Sequence, residues 1–458
     1  MNSAKDVELV KGLGLLDATT LVMGSMIGSG IFIVAADIAR QVQSPGLLLM
    51  VWVVTSILTV IGAISYGELA AAMPQAGGQY VYLREAFGPL WGFLYGWTLF
   101  MVIQTGTVAA VAVAFSTYTG VFFPSISADI WVLPFLNTQQ AVAIAVLLLL
   151  TWVNTQGLKT GSRVQNVFTF AKTGALLGLI VFGFLLGRNE EAVQRNFGDF
   201  WSGAGLDWTS VRLVGVAMVG ALFSSDAWNN VTFTAGEVRN PKRNLPLSLG
   251  LGVGIVCLLY LACNYVYLMA LPLEQIQTAP QDRVATAVGL QMFGPSAVQL
   301  LAAAIMVSTF GCVNGMLLAG ARVYYAMAHD RLFFRRAGVL DPKSQTPVTS
   351  LWLQCGWACL LTLSGRYGDL LDYVIFAVLI FYILTIAGIF VLRRTRPDME
   401  RPYRAIGYPV LPILYIAAAG LIEILLLLYK PNYTWPGLII VLLGIPVYFL
   451  WRKKEDYA

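Results

Sequence analysis

The polar stretch FSSDAWNN, residues 223–230, carries the largest concentration of chemically active groups in this chain. It contains a carboxylate, two hydroxyls and two carboxamides, which can bind a polar ligand but include no nucleophile paired with a base. The sequence has one histidine, His329, and no cluster of acids in its apolar stretches that could hold a metal. We therefore expect ligand binding rather than catalysis, with no metal or cofactor, and His329 at the surface.

A second unusual stretch, TLVMGSMIGSGIFIV at residues 20–34, has glycine where a lipid-spanning helix usually has bulky side chains. Glycine loses little by leaving a helix, so this stretch can unwind where the freed N–H and C=O groups meet a cavity or a ligand. Gly24 and Gly28 also form a GxxxG pair, which favours close packing of two intact helices. Taken alone, the glycines leave both interpretations open.

The composition indicates which elements must position these two stretches. Of the 458 residues, 58% are apolar and 12% are charged, with a mean hydropathy of +0.72. Soluble proteins have about 45–50% apolar and about 25% charged residues, so an ordinary soluble enzyme is excluded. Ten stretches without Asp, Glu, Lys or Arg are long enough for the roughly 20 residues that cross a bilayer. They are residues 18–36, 41–67, 86–128, 130–158, 244–273, 284–321, 344–365, 373–392, 405–422 and 431–451.

Two further apolar stretches each contain one ionisable residue, Lys172 between Arg163 and Gly187 and Asp226 between Arg212 and Gly236. We therefore predict an all-α integral membrane protein with twelve transmembrane helices. The two unusual stretches then fall in helices one and six, which correspond if two five-helix repeats have opposite orientations, as in inverted-repeat transporters. The predicted organisation is one transmembrane domain over residues 1–458, with repeats over 15–187 and 211–393 and helices eleven and twelve over 405–452.

Two interrupted helices at mid-membrane predict a class of ligand. The N–H groups that begin a half-helix attract an anionic group, and freed carbonyl oxygens attract a cationic one. A zwitterion satisfies both, so the residues favour an amino acid or a close relative and leave a nucleobase or a sugar open. Polar side chains at this depth indicate a functional site by default.

The distribution of basic residues predicts the orientation. With both termini in the cytoplasm, 20 of the 29 Lys and Arg lie inside, 7 lie outside, and Lys172 and Arg322 lie within spans. The inside residues are Lys5, Lys11, Arg84, Lys159, Arg163, Arg239, Lys242, Arg243, Arg331, Arg335, Arg336, Lys343, Arg393, Arg394, Arg396, Arg401, Arg404, Arg452, Lys453 and Lys454. The outside residues are Arg40, Arg188, Arg195, Arg212, Arg283, Arg366 and Lys430. We expect a multi-pass protein of the cell membrane with cytoplasmic termini.

Five longer motifs connect the sequence to a known family. They are MGSMIGSGIF at 23–32, YGELAAAMPQAGGQYVYLREAFGP at 66–89, RVQNVFTFAK at 163–172, FSSDAWNN with GEVRNPKRNLP over 223–246, and FGCVNG at 310–315. Together they resemble the amino acid, polyamine and organocation (APC) superfamily, most closely its L-amino acid transporter subfamily, over almost the whole chain. The resemblance implies a leucine-transporter-like fold with helices one and six unwound, and transport by alternating access.

The resemblance also implies a site for an L-amino acid. Backbone N–H groups at Ser29 and Gly30 would receive the substrate carboxylate, and carbonyls on both broken helices would receive the ammonium. Phe223 would be an aromatic gate, with a plain bilayer-core aromatic as the alternative. For Trp228 and Asn229 the alternatives are helix packing and an interhelical hydrogen bond. The implied substrate-binding residues are Met26, Ile27, Gly28, Ser29, Gly30, Phe223, Ser224, Ser225, Asp226, Trp228 and Asn229.

Asp226 has three candidate roles: binding a cationic side chain, carrying a proton, or capping the second half of the broken helix. Asp is a strong N-cap residue, and its position at the expected break favours capping. The candidate site segments contain no second acid, which argues against dibasic amino acids and polyamines as substrates.

Lys172 follows Arg163 by nine residues, roughly 13 Å along a helix, which is deep for a lysine that snorkels to the membrane surface. The resemblance implies instead that Lys172 replaces the sodium ion of sodium-coupled relatives and bridges helix one to helix eight, where Ser308 is the expected contact. A snorkelling lysine is the alternative.

The expected function is therefore sodium-independent exchange of neutral L-amino acids. Proton-coupled symport or uniport on the same fold remains open, and an amino-acid-binding membrane sensor is the alternative from another class. A sensor would need a soluble appendage, which we do not expect from the short termini, and the apolar-poor start MNSAKDVELVKGLG predicts no cleaved signal peptide.

The expected partners are the amino acid and membrane lipid, and not nucleic acid. All five cysteines fall in predicted helices, and PSISADIWVLPFLNT at 124–138 has none, so we expect no disulfide-linked heavy chain, as in prokaryotic members of the family. Glu68, Arg84 and Glu85 flank a predicted cytoplasmic loop, where they could pair across loops or remain solvated. The sequence offers no explanation for Glu423.

Overall fold

A computed structural model shows a bundle of α-helices and, among the described residues, one two-stranded hairpin. The structure describes residues 9–205, 207–364 and 367–455, with the backbone alone at 364, 367–373, 433 and 452–455. The helices are α1 (Leu15–Met26), α2 (Gly30–Val42), α3 (Pro45–Ala72), α4 (Gln79–Phe87), α5 (Pro89–Thr98), α6 (Gln104–Phe122), α7 (Thr138–Thr155), α8 (Leu158–Leu186), α9 (Glu190–Gly198), α10 (Trp208–Ser224), α11 (Asn230–Phe233), α12 (Pro241–Ala270), α13 (Leu273–Gln277), α14 (Val284–Phe293), α15 (Ser296–His329), α16 (Val348–Ser364), α17 (Tyr367–Thr395), α18 (Val410–Tyr429) and α19 (Pro431–Glu455). A π-helical turn (Leu99–Ile103) joins α5 to α6, 3₁₀ turns cover Ala235–Glu237, Pro280–Asp282 and Arg335–Gly338, and the hairpin consists of β1 (Trp131–Leu133) and β2 (Leu136–Asn137).

The described residues include nine helices long and apolar enough to cross a membrane. A tenth candidate span is formed by α1 and α2 together, which bend by 40° at their break. The shorter apolar helices α10 and α16 lie where the sixth and ninth spans are predicted. The all-α, multi-pass architecture predicted from hydropathy is thus confirmed, and the total of twelve spans stays a prediction.

Two predicted span boundaries are wrong. The uncharged stretch 130–158 begins with the hairpin, and α7 starts only at Thr138 because Asn137 and Gln140 form a reciprocal capping box there. The stretch 284–321 divides into α14 and α15, because Gly294 ends α14 with a φ of +66° and Pro295 precedes the next helix. A run of uncharged residues reveals neither the hairpin before α7 nor the division between α14 and α15.

The first helical interruption separates α1 from α2 over Ile27, Gly28 and Ser29. Ile27 closes α1 through its N–H to the Met23 carbonyl at 2.9 Å, and Gly30 opens α2 directly against α10. A Cβ added at Gly30 would collide with the Ser224 hydroxyl and would lie 3.1 Å from the Ser224 Cα. Glycine is therefore required at Gly30 because the two interrupted helices touch there.

The second interruption follows Ser224, where α10 ends. The chain turns through Ala227, whose φ of +63° is unusual for a residue with a side chain, and resumes as the single helical turn α11. The helical segment after this interruption is short, since α11 has 4 residues whereas α2 has 13.

Charged residues that the positive-inside rule assigns to the cytoplasm form ion pairs with acidic residues at one end of the bundle. This end is named the basic end. There Lys242 contacts Glu400 at 2.7 Å and Arg396 contacts Glu85 at 2.7 Å. At the opposite end Arg40 contacts Asp282 at 2.6 Å. Lys5 and Arg366, and the side chains of Arg452, Lys453 and Lys454, lie outside the described residues.

Candidate functional site

The candidate site forms where the two interruptions meet, and Tyr260 of α12 connects them. Its buried hydroxyl lies 3.0 Å from the Met26 carbonyl oxygen and 3.0 Å from the Ser224 carbonyl oxygen, one on each broken helix. Sequence reasoning missed this residue. The available signal was a tyrosine in the middle of an uncharged span, because a buried phenol needs a hydrogen-bond partner.

Lys172 of α8 is fully buried and directs its ammonium at the break in helix one. Nζ donates to the carbonyl oxygens of Gly24 at 2.5 Å and Ile27 at 2.7 Å, and to that of Ser308 at 3.3 Å. The Ser308 hydroxyl lies 3.1 Å from both the Ile27 and the Gly28 carbonyl oxygens. Lys172 and Ser308 therefore meet on the unwound backbone, and the ammonium reaches neither end of the bundle.

The break in helix one also presents N–H groups. Those of Gly28 and Gly30 donate to no group among the described residues, although both glycines are buried. Buried backbone donors need an acceptor, which a water molecule or a ligand supplies. Because these donors lie at the start of α2, they can receive an anionic group with the help of the helix dipole.

Asp226 does not cap the helix that follows it. Asn229 occupies the N-cap position of α11 and makes no side-chain cap bond, whereas the Asp226 carboxylate accepts from the Tyr382 hydroxyl of α17 at 2.6 Å. The capping hypothesis is therefore wrong. The physical reason is that α11 is a single turn, while the tyrosine of a neighbouring span offers the carboxylate a strong donor.

The aromatic and amide side chains of the polar stretch contact neighbouring helices. The Trp228 ring lies 4.7 Å from that of Tyr66 and 5.1 Å from that of Tyr382. Asn229 donates to the Gln79 side-chain oxygen at 2.7 Å. These are the packing and interhelical hydrogen bond that the sequence left open for Trp228 and Asn229. Phe223 and Ser225 are buried beside the break.

A small cavity beside Asp226 has polar walls that sequence reasoning missed. Its lining includes Gln79, Tyr95, Gln104, Asn230 and Tyr382. Gln104 directly follows the π-helical turn at Leu99–Ile103, a distortion that is frequent at functional sites. It is also the only carboxamide in the uncharged stretch 86–128, which was the signal available in the sequence.

Ion pairs join neighbouring elements at the basic end of the bundle. Arg322 of α15 and Glu237 are each 1% exposed and are joined by two bonds of 2.8 and 2.9 Å, a pairing that the sequence did not suggest. Glu68 accepts from Arg393 at 2.6 Å and from the Ala405 N–H at 2.7 Å. The charges that the sequence left as paired or solvated are thus paired across elements.

Glu85, in the short helix α4 at the basic end, shows how these contacts act on a carboxyl group. Burial raises its pKa, but hydrogen bonds from Arg396 and Arg84 outweigh burial and hold the pKa below the ordinary value. Glu85 therefore remains ionised and paired well into the acidic range.

Three further sequence expectations concern single residues and metals. His329 is exposed at the end of α15, against the Tyr325 ring. Glu423 is buried in α18, and neither carboxylate oxygen has a hydrogen-bond partner in the described part of the chain. Across residues 9–205, 207–364 and 367–455, no three His, Cys, Asp or Glu side chains come together as a metal site would require.

Comparison with known proteins supplies the family. A family model described as amino acid permease matches residues 13–449. The mouse Asc-type amino acid transporter 1 is 30% identical over 99% of this chain and 84% of its own length. The mouse large neutral amino acids transporter small subunit 2 is 32% identical over 98% and 83%. The mouse b(0,+)-type amino acid transporter 1 is 30% identical over 97% and 89%. The family model and these relatives match the chain over almost its whole length, and its helices surround an unwound backbone at the centre of the bundle. The chain belongs to the amino acid permease family.

Proposed function

We propose that this permease exchanges neutral L-amino acids across the cell membrane without sodium, by alternating access. The observation that carries this proposal is the Lys172 ammonium, which contacts the Gly24 and Ile27 carbonyl oxygens. Freed carbonyl oxygens of a broken helix are the groups that coordinate sodium in transporters of this plan. With a resident cation on these oxygens, the cycle needs no sodium ion.

The unwound backbone supplies a place for an amino acid head group. The N–H groups at Gly28, Ser29 and Gly30 lie at the start of α2 and suit the carboxylate. The carbonyls of Met26, Ile27, Phe223, Ser224 and Asp226 are the proposed acceptors for the ammonium. Tyr260, Lys172 and Ser308 already hold three of these carbonyls, which fixes their directions. A carbonyl oxygen has two lone pairs, so those of Met26 and Ser224, which each accept from Tyr260, keep one for the substrate, whereas that of Ile27 already accepts from both Lys172 and Ser308.

Contacts around Asp226 favour a neutral substrate side chain. The Asp226 carboxylate is engaged by Tyr382, and the adjacent small cavity is lined by amides, hydroxyls and apolar groups. A cationic side chain there would have no second acid to pair with. Phe223, buried at the end of α10, is the proposed gate between this cavity and the exterior.

The test is uptake into liposomes that contain the purified protein. We expect labelled neutral L-amino acids to enter only when unlabelled amino acid is inside, at equal rates in sodium and in choline. Uptake into empty liposomes that rises with external acid would replace exchange with proton symport, and acid-independent uptake would indicate uniport. Absence of uptake, with binding of an amino acid retained, would favour a sensor.

The proposed assembly has no disulfide-linked heavy chain. Support comes from residues 124–138, which form the hairpin and its flanking turns and contain no cysteine. One relative is nevertheless named a small subunit, so the point needs a direct measurement. A single band on non-reducing gels of the protein from its native membrane is expected, and a band that shifts on reduction would contradict the proposal.

The proposed orientation places both termini and the basic end in the cytoplasm. The clustering of basic side chains at one end supports it through the positive-inside rule. A cysteine introduced at Ser127, in the loop at the opposite end, should react with a membrane-impermeant maleimide on intact cells. A cysteine introduced at Lys343 should react only after the cells are opened. The inverse pattern would contradict this orientation.

The proposed internal organisation consists of two inverted repeats, residues 15–187 and 211–393, followed by helices eleven and twelve over 405–452. Support comes from the two interruptions, which fall in the first helix of each repeat and contact each other at Gly30 and Ser224.

A further inference from the structure

A large apolar groove lies on the outside of the bundle, away from the candidate site. Its volume is about 890 Å³, and α3, α10 and α18 form its walls. The lining is almost entirely aliphatic and aromatic, with Met50 and Val54 on one wall, Val214 on the second and Ala418 on the third. The groove faces the membrane, since Val53 and Ile57, which lie on the same helix but outside the lining, are 38% and 51% exposed.

The length of the groove matches one leaflet of a bilayer. On α3 it runs from Leu47 to Leu58, a rise of roughly 16 Å at about 1.5 Å per residue. This is about half of a hydrocarbon core of about 30 Å. Trp201 and Trp208 line its shallow end, as expected for aromatic side chains at a membrane interface.

The rim of the groove carries charges of both signs, because the Asp207 carboxylate lines its shallow end and Arg212 follows the lining residue Val211. Arg212, adjacent to the lining residue Val211, places its guanidinium 5.1 Å from the centre of the Tyr429 ring. A guanidinium at the depth of the interfacial tryptophans complements the phosphate of a lipid headgroup. The apolar walls below complement an acyl chain.

The deep end of the groove approaches the interruption in helix six. Leu58 lines both the groove and a small cavity whose other walls include Ser225 and Asp226. A molecule in the groove therefore lies against α10, the helix that ends at this interruption. A transmembrane helix of another protein fits less well, because such a helix crosses the full core whereas the groove ends at mid-membrane.

We propose that this groove is a binding site for one acyl chain of a membrane phospholipid, with the phosphate near Arg212. The acyl chain fills the space between α3, α10 and α18 and packs against the part of α10 that precedes its break. This inference is independent of the substrate and of the coupling mechanism, since it rests on the groove and its rim alone.

The test uses photo-crosslinking in vesicles of phosphatidylethanolamine and phosphatidylglycerol that contain a phosphatidylethanolamine with a diazirine in the middle of one acyl chain. We expect labelled peptides to map to the groove walls on α3, α10 and α18. Ala418→Trp fills the groove and should reduce labelling there by about tenfold. Ile424→Trp, on the same helix but outside the lining, should leave labelling unchanged.

A second pair of variants protects the test against misfolding. Met50→Trp fills the groove from α3, and Val53→Trp is its control on the exposed face of that helix. Added phospholipid should raise the unfolding temperature in detergent for the two controls more than for the two filled variants. Equal labelling in filled and control variants, or labels spread over all exposed faces, would overturn the proposal.

Discussion

The two interrupted helices meet at one point of the molecule, yet different parts of the chain hold them open. In helix one, side chains from other helices bind the carbonyl oxygens of the break, and these side chains are Lys172, Ser308 and Tyr260. In helix six the break supplies its own side chains, and Asp226 and Asn229 reach outward to Tyr382 and Gln79.

This difference explains the composition of each break. Helix one can keep only small residues at Gly28, Ser29 and Gly30, because the partners approach its backbone and Ser224 occupies the space beside Gly30. Helix six instead carries polar side chains, and two of them, Asp226 and Asn229, bond to other helices. An unwound segment in a membrane must satisfy its polar groups in one of these two ways.

The largest effect should come from removing the cation at the first break. Lys172→Met leaves the Gly24 and Ile27 carbonyl oxygens without their charged donor, and each such bond contributes about 1.5–3 kcal/mol. We expect exchange in liposomes to fall by about a hundredfold or more. Lys159→Met, at an exposed position of the same helix, is the control and should exchange normally. Full activity of Lys172→Met would remove the resident-cation hypothesis.

A smaller loss of exchange activity should follow from a substitution that pushes the two breaks apart. Gly30→Ala places a Cβ against Ser224, and overpacking of this kind costs about 1–3 kcal/mol, so exchange should decrease by about tenfold. The double variant with Ser224→Gly should recover much of the rate, which flux measurements on the three variants would show. Gly174→Ala, where an added Cβ meets open space, should have no effect. Without recovery in the double variant, the contact between the breaks is not the cause.

Tyr260→Phe tests a side chain whose hydroxyl contacts both breaks. The variant keeps the ring and removes a hydroxyl shared by the Met26 and Ser224 carbonyls, so a loss of about 1 kcal/mol, or about fivefold in exchange rate, is expected. The matched control is Tyr265→Phe, at an exposed position of the same helix. An equal effect from both substitutions would show that the shared hydroxyl plays no particular part.

The smallest effect concerns how helix six begins. Asp207 accepts from the Ser210 N–H at 2.9 Å at the start of α10, and this bond lowers the Asp207 pKa below its ordinary value of 3.8. The pKa of Asp207 is lower in the folded protein than in the unfolded chain. The bond to Ser210 therefore stabilises the fold fully above pH 3.8, and this stabilisation is lost as the pH falls through the pKa of the folded state. Asp207→Ala should therefore lower the unfolding temperature slightly at neutral pH, and its difference from wild type should shrink as the pH falls below 3.8. Asp199→Ala, in the preceding loop, should behave as wild type over the same pH range.

Much of the fold was predictable because hydropathy reports directly on burial in lipid. The positions of both breaks followed from local composition, glycine in one and polar side chains in the other. The hairpin before α7 was not predictable from uncharged runs, because Trp131 and Leu133 are as apolar as the helix that follows.

The site was predictable where a residue is unusual for its surroundings and unpredictable where its partner decides the role. Lys172 is conspicuous in an apolar helix, so its place at the first break could be inferred. Asp226 is equally conspicuous, but its role depends on Tyr382, which lies 156 residues away and looks ordinary in its own span. Tyr260 was missed for the same reason.

The buried Arg322 and Glu237 pair has a consequence for experiments at varied ionic strength. Mobile ions screen exposed charges over a Debye length of about 8 Å at physiological salt, and they screen buried pairs much less. Lys242 and Glu400 are largely exposed, whereas Arg322 and Glu237 are each 1% exposed. High salt should therefore weaken the exposed pairs of the basic end more than the Arg322 and Glu237 contact, which holds α15 to the segment that follows helix six.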